Sequence, residues 1–109
     1  MRYFSEFTKT QQIDAVILAL KDIFHRWMQS GKRALPSAMF SVLPGRPCIM
    51  HPTKDGDMVL ECGGKTVHEV VPHAWHYFLE SRPTVRRRAS SIASEIVRLC
   101  NSVPPLKSQ

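Results

Sequence analysis

The sequence predicts an α+β fold: one small domain with the element order α-α-β-β-β-α-α, in which two long amphipathic helices pack with a small antiparallel sheet. Three observations predict this fold. Apolar residues recur at helical spacing near both ends of the chain, and short apolar stretches between Gly and Pro residues occupy its middle. The chain has 109 residues, 43% of them hydrophobic, which suits one domain and is too short for two. We expect residues 1–103 to form the domain and residues 104–109 to form a loose tail.

The first helix is predicted by a capping signal and by the apolar residues that follow it. Thr8 and Gln11 have the spacing of a capping box, and Thr10 is a second candidate cap. Gly31 should end the helix, because the residue just past a helix C-terminus often needs a positive φ. The apolar positions recur at three- and four-residue intervals along one face. They are Ile13, Val16, Ile17, Leu20, Ile23, Phe24, Trp27 and Met28.

A second, short helix and a first strand are predicted next. Pro36 suits the first position of a helix, which we expect to run to Leu43 and to end at Pro44-Gly45. Pro47 opens a β region, in which Cys48–Met50 is predicted to be a short strand.

A hairpin is predicted after this strand. Met58–Cys62 and Lys65–Val70 flank Gly63-Gly64, and glycine supplies the positive φ that a two-residue hairpin turn requires. Neither face of the second hairpin strand is cleanly apolar. The pattern therefore predicts an edge strand or a half-covered sheet.

Two helices are predicted to close the chain. The first begins at Pro72, carries an aromatic cluster and is broken by Pro83. Thr84 should cap the second, which we place at Val85–Ser102 and which ends before Pro104. The apolar positions of this final helix alternate at four- and three-residue intervals. They are Val85, Ala89, Ile92, Ile96 and Leu99, widened by Ala93, Val97 and Cys100.

Most of the formal charge of +6 lies in the last quarter of the chain. Residues 82–109 contain six Lys or Arg residues and one acidic residue, a net charge of +5. Arg82 precedes the final helix, and Arg86, Arg87 and Arg88 lie in its first turn. Cations there cost about 0.3–1 kcal/mol each, because the helix dipole already places partial positive charge at that end. Residues that oppose the helix dipole, with no stabilising contact visible in the sequence, indicate a functional role.

These arginines predict contact with an anion or with nucleic acid. Arg86, Ser90 and Ser94 fall at four-residue intervals and form a polar stripe on the final helix, and Lys32 and Arg33 are further candidate contacts. Small hydroxyl side chains let a partner backbone approach closely. We therefore predict a small non-catalytic nucleic-acid-binding or regulatory protein that uses its basic C-terminal helix. A solvated face and contact with an acidic protein surface are the alternatives for these residues.

The alternative prediction for the whole protein is a protein-interaction module. Such an adaptor or inhibitor, of the kind that mobile genetic elements carry, would dock on a partner protein or on a nucleic-acid-processing complex. Trp75, Tyr77 and Phe78 are its candidate interface, while core packing and stacking on bases are other interpretations of this cluster. The half-covered hairpin would accept a strand, and the apolar positions of the final helix would join two copies as a homodimer.

Four residues are weak candidates for a metal site. Cys48-x-x-His51 and His73-x-x-His76 have spacings that zinc sites use. The usual knuckle pairs two cysteines, however, and Pro52 follows His51 where glycine would be expected. Ordinary polar or half-buried histidines are the preferred interpretation, so we predict no metal and no other cofactor.

Several classes of protein are excluded by gross features. No apolar run approaches the roughly 18–20 residues that span a bilayer, and Glu6 interrupts the N-terminus before any secretory apolar stretch. Three cysteines are an odd and sparse set, which does not indicate a disulfide framework. We therefore expect a cytoplasmic protein that has no membrane partner. No motif identifies a reaction, so we predict neither an enzyme nor a small-molecule substrate.

Overall fold

Two helices and four strands make up the described part of the chain. The computed structural model describes residues 2–71 and 83–104. The helices are α1 (Lys9–Gln29) and α2 (Pro83–Asn101), and a short 3₁₀ turn at Phe4–Glu6 precedes α1. The strands are β1 (Ala38–Leu43), β2 (Arg46–Pro52), β3 (Met58–Cys62) and β4 (Lys65–Glu69). The α+β class is confirmed, and neither of these helices is long and apolar enough to cross a membrane.

Helix α1 begins and ends at the predicted signals. The Thr8 hydroxyl accepts a hydrogen bond from the Gln11 backbone N–H (3.2 Å), and the Gln11 side chain accepts one from the Thr8 N–H (2.9 Å). Gly31 has a φ of +69° just beyond the last turn. Six of the eight predicted apolar positions are buried, at helical spacing. They are Val16, Ile17, Leu20, Ile23, Phe24 and Trp27. Ile13 is half-buried and Met28 is 36% exposed, whereas the polar Gln12 is buried.

The helix predicted to begin at Pro36 and run to Leu43 is wrong, because residues 38–43 form strand β1. Phe40 and Val42 are buried while Met39 is 66% exposed, which is the two-residue period of a strand. Pro44-Gly45 forms the turn of a β1–β2 hairpin, and Gly45 has a φ of +69°. A helix of two turns is marginal by itself, whereas pairing with β2 satisfies the backbone groups of this segment.

The second hairpin is confirmed. Cys62 pairs with Lys65 across a turn in which Gly63 and Gly64 have φ values of +59° and +84°. Positive φ at both central residues is characteristic of the type I′ turn, whose twist matches that of antiparallel strands. The sheet order is β1-β2-β3-β4, so β4 lies at an edge as predicted.

Helix α2 begins two residues earlier than predicted. Pro83 belongs to the helix rather than preceding it, and Thr84 therefore lies inside the first turn instead of capping it. Proline is accepted there because the first N–H groups of a helix have no partner within the helix. All five predicted apolar positions of α2 are buried. The short helix predicted from Pro72 lies outside the described residues.

One hydrophobic core joins the helices to one face of the sheet. The buried strand side chains alternate with outward ones, and directly paired residues such as Phe40 and Cys48, or Met50 and Leu60, share the buried side. The two helices run antiparallel, because Lys9 contacts Ser94 whereas Asp14, further along α1, contacts Arg86. No described helix covers the opposite face of the sheet.

Candidate nucleic-acid interface

The arginines at the start of α2 are not alike. The Arg86 guanidinium donates a hydrogen bond to Asp14 Oδ1 (2.9 Å) on α1, in an ion pair whose carboxylate is 61% exposed. The Arg88 guanidinium donates to Glu69 Oε2 (2.9 Å), at the end of β4. Carboxylates on neighbouring elements therefore compensate two of the cations that the helix dipole disfavours. These two arginines have a structural role that the sequence did not reveal.

Arg88 links the N-terminal part of α2 to the sheet. Besides the ion pair, its Nε and Nη2 donate to the Val70 carbonyl oxygen at 3.1 and 2.9 Å. The Glu69 side chain is 9% exposed and the Arg88 side chain 31% exposed. A carboxylate this deeply buried needs a cation and hydrogen bonds, because burying an unpaired charge is costly.

Arg87 points away from Asp14 and Glu69, the carboxylates that pair with Arg86 and Arg88. It is exposed, and within residues 2–71 and 83–104 no carboxylate pairs with it. Ser91, one turn later, is also exposed and its hydroxyl donates to the Arg87 carbonyl oxygen (3.4 Å). Of Arg86, Arg87 and Arg88, Arg87 is therefore the arginine that is available to an external anion.

The predicted polar stripe lies along the side of α2 that borders α1. Lys9 Nζ donates to the Ser90 carbonyl oxygen (3.0 Å) and to Ser94 Oγ (2.7 Å), and Asp14 holds Arg86 at the other end of the stripe. The stripe thus forms the polar seam between the two helices. Ser94 is nevertheless exposed, and its contact brings the Lys9 ammonium to the outer side of α2.

Lys32 and Arg33 do not join the α2 arginines in one patch. Both follow the end of α1, and Lys32 Nζ lies 5.5 Å from the centre of the Trp27 ring. Asp14, the partner of Arg86, precedes the last residue of α1 by fifteen positions, or about 22 Å of helix. The predicted set of basic residues is therefore split between two ends of the helical layer.

The remaining predicted contact residues are not tested by the structure. Arg82 and the aromatic residues Trp75, Tyr77 and Phe78 lie outside the described residues, as do His73 and His76. Their roles stay predictions.

Cys48 and His51 do not converge on a metal. They lie three residues apart on β2, so their side chains point to opposite faces of the sheet. Cys48 is fully buried in the core, whereas His51 is partly exposed on the outer face. In the two described stretches no group of three or more His, Cys, Asp or Glu side chains is arranged to hold a metal ion.

The three cysteines meet inside the core as free thiols. Continuing the register that pairs Ile49 with Glu61 places Cys48 opposite Cys62, and Cys100 of α2 neighbours both thiols. Burial, followed by the neighbouring Cys62, raises the pKa of Cys48 to about 12. Burial likewise raises the pKa of Cys100 above its usual range. Protonated thiols are poor nucleophiles, so this cluster behaves as part of the core.

Three residues that shape this surface have little or no signature in the sequence. Lys9, Asp14 and Glu69 act only because folding brings them against α2, from positions 19 to 85 residues away along the chain. Asp14 and Lys9 read as ordinary polar residues of an exposed helix face. Glu69 alone carried a weak signal, since its strand had no cleanly apolar face.

Comparison of the chain with protein-family models gives no match, and neither curated proteins nor solved structures match it.

Proposed function

We propose that this protein is a non-catalytic nucleic-acid-binding protein that contacts phosphates through the outer side of α2. We call this surface the α2 outer face and define it by Arg87, Ser91, Ser94, Arg98 and the Lys9 side chain of α1. The observation that carries the proposal is the position of Arg87. Its guanidinium is exposed, and no carboxylate of the described residues forms an ion pair with it. We assign no catalytic role to any residue.

The spacing along α2 supports contact with an extended polyanion. Arg87 and Arg98 are eleven residues apart, or about 16 Å along the helix, and Lys9 reaches Ser94 between them. Ser91 and Ser94 are small and exposed, so a sugar–phosphate backbone can approach the helix closely. Arg98 shares its charge with Glu95, to which it donates two hydrogen bonds, and is the weakest of the three cations.

The number of cations on the α2 outer face sets the expected salt dependence. Each phosphate neutralised by a Lys or Arg releases counterions, which gives a slope of about −0.7 to −0.9 in log K against log salt. Contacts from Arg87, Lys9 and Arg98 together predict a slope of about −2 to −3. If Arg86 and Arg88 also bound phosphate, the slope would steepen to about −3.5 to −4.5, but these two arginines are held by Asp14 and Glu69.

Fluorescence anisotropy with labelled single-stranded and duplex oligonucleotides, at several salt concentrations, tests the proposal. Arg87→Gln removes one phosphate contact and should weaken binding several-fold and reduce the salt slope by about 1. Arg33→Gln is the matched control, because it removes the same charge from an exposed site beyond the far end of α1. Absence of binding at low salt, or equal losses in both variants, would overturn the proposal.

Docking on a partner protein remains the alternative function. The surface available for it among the described residues is the uncovered face of the sheet.

A further inference from the structure

The outer face of the sheet is partly apolar, and no helix or strand of residues 2–71 and 83–104 lies over it. We call it the open sheet face and define it by outward-pointing residues of all four strands, which include Met39, Ile49, His51, Val59, Glu61 and His68. Met39 is 66% exposed and Ile49, directly opposite it on β2, is 37% exposed. Apolar side chains on a sheet face normally lie against another layer.

This face also lacks positive charge. The chain has a net charge of +6, yet none of the outward positions that the structure describes on the four strands is Lys or Arg. The strand cations Arg46 and Lys65 alternate with Pro47 and Thr66 and share the side of the buried Cys48 and Cys62. The described outward strand positions therefore offer a polyanion no Lys or Arg side chain. Two positively charged copies of the chain, in contrast, can meet here without bringing cations together.

The register of β2 and β3 makes the centre of the open sheet face self-complementary. Ile49 lies opposite Glu61, and His51 lies opposite Val59. The four side chains form a square in which the two apolar residues occupy one diagonal and the two polar residues occupy the other. Suppose that a two-fold axis lies in the interface along the apolar diagonal. Ile49 of one copy then packs on Ile49 of the other, and Val59 packs on Val59. The same axis places Glu61 of each copy against His51 of the other.

We propose that the open sheet face is the contact surface of a symmetric homodimer, with its two-fold axis along the Ile49–Val59 diagonal. An isologous interface requires one patch that complements itself, and this square meets the requirement in the arrangement of its apolar and polar residues. The helices then lie on the outside of the dimer, in the layer order α-β-β-α. The apolar positions of α2, which the sequence offered as a dimer seam, are excluded from this role because all five are buried in the monomer core.

The size of the face sets the expected affinity. Four strands about 4.8 Å apart and about five residues long cover roughly 19 by 17 Å. A footprint of this size belongs with the small interfaces, below about 1,200 Å² in total, that are typical of weak association. We therefore expect a dissociation constant in the micromolar range or weaker, so that dimers form at high protein concentration.

Sedimentation equilibrium from micromolar to near-millimolar concentration, without nucleic acid, tests the proposal. Ile49→Glu places two carboxylates against each other on the axis and should weaken dimerisation at least tenfold. Leu18→Glu is the matched control, because Leu18 is 69% exposed on α1 in the other layer, and it should leave the dimer intact. A monomer at every concentration, or equal losses in both variants, would overturn the proposal.

A charge-exchange cycle tests the axis itself. Glu61→Lys and His51→Glu should each weaken the dimer, since the first sets a cation against His51 and the second sets two carboxylates together. The combined variant pairs the new lysine with the new glutamate and should restore dimerisation. Failure to restore it, with circular dichroism showing intact folding, would overturn the proposed axis. The outcome is independent of nucleic-acid binding, because the α2 outer face lies on the other side of the domain.

Discussion

Replacing Arg88 tests whether the arginines at the start of α2 serve the fold or an external ligand. Arg88→Met keeps much of the apolar stem but removes the guanidinium that pairs with Glu69 and donates two hydrogen bonds to the Val70 carbonyl. It leaves the Glu69 carboxylate, whose side chain is 9% exposed, without a counter-ion.

The structure sets the size of the expected effect. Breaking a fully buried ion pair by removing one partner costs about 3–5 kcal/mol. The Arg88 side chain is 31% exposed, so solvent screens part of the interaction and we expect a loss of about 2–3 kcal/mol in the free energy of unfolding. For a domain of this length that loss corresponds to a fall in Tm of roughly 10–20 °C.

Urea denaturation of four proteins supplies the measurement: wild type, Arg88→Met, Glu69→Gln and the double variant. The double variant should be more stable than the sum of the single losses implies, because no unpaired charge stays buried. Arg87→Met is the control and should change stability by no more than about 0.5 kcal/mol, since its side chain is exposed. If Arg88→Met costs no more than this control, the structural role assigned to Arg88 is wrong.

Two further predictions concern the core and the second hairpin. The pKa of Cys48 is raised from its usual value near 9 to about 12, so on raising the pH the unfolded chain loses this proton before the folded chain does. The free energy of unfolding should therefore fall above about pH 9, by roughly 1.4 kcal/mol per pH unit, until the folded thiol ionises. Urea titrations at pH 8 and pH 10 should show a smaller loss for Cys48→Ala than for wild type, and an unchanged loss would contradict the assignment. Gly63→Ala should cost about 1–2 kcal/mol, because φ is +59° and the new Cβ would lie 3.3 Å from Val103 Cβ. Gly31→Ala, at φ +69° in open space, measures the backbone strain alone, and an equal cost at both sites would mean that the Val103 contact is unimportant.

Elements with strong local signals could be predicted from the sequence. The capping box at Thr8, the helical spacing of the apolar residues of α1 and α2, and the Gly63-Gly64 turn each specify backbone geometry over a few residues. These signals need no distant partner, because capping bonds, helical periodicity and turn dihedrals are set by neighbours in the chain. The structure confirms all three.

The identity of β1 was decided by tertiary structure. A proline at position 36 and six residues of mixed polarity are compatible with a short helix or with a strand. Only pairing with β2 distinguishes them, since a strand obtains its hydrogen bonds from another segment and a helix from itself. The two-residue period is present in the burial of β1 but not in its sequence, because the exposed Met39 is as apolar as the buried Phe40 and Val42.

Folding likewise decided which arginine of α2 is available to an external anion. Arg86, Arg87 and Arg88 are equivalent in the sequence, but consecutive residues of a helix point about 100° apart. One of them therefore meets Asp14 on α1, the next faces outward, and the third meets Glu69 at the sheet edge. The sequence determined that the start of the final helix is basic. The packing of α1 and β4 around it determined that Arg87 is the cation left exposed there, because ion pairs form between residues that only the fold brings together.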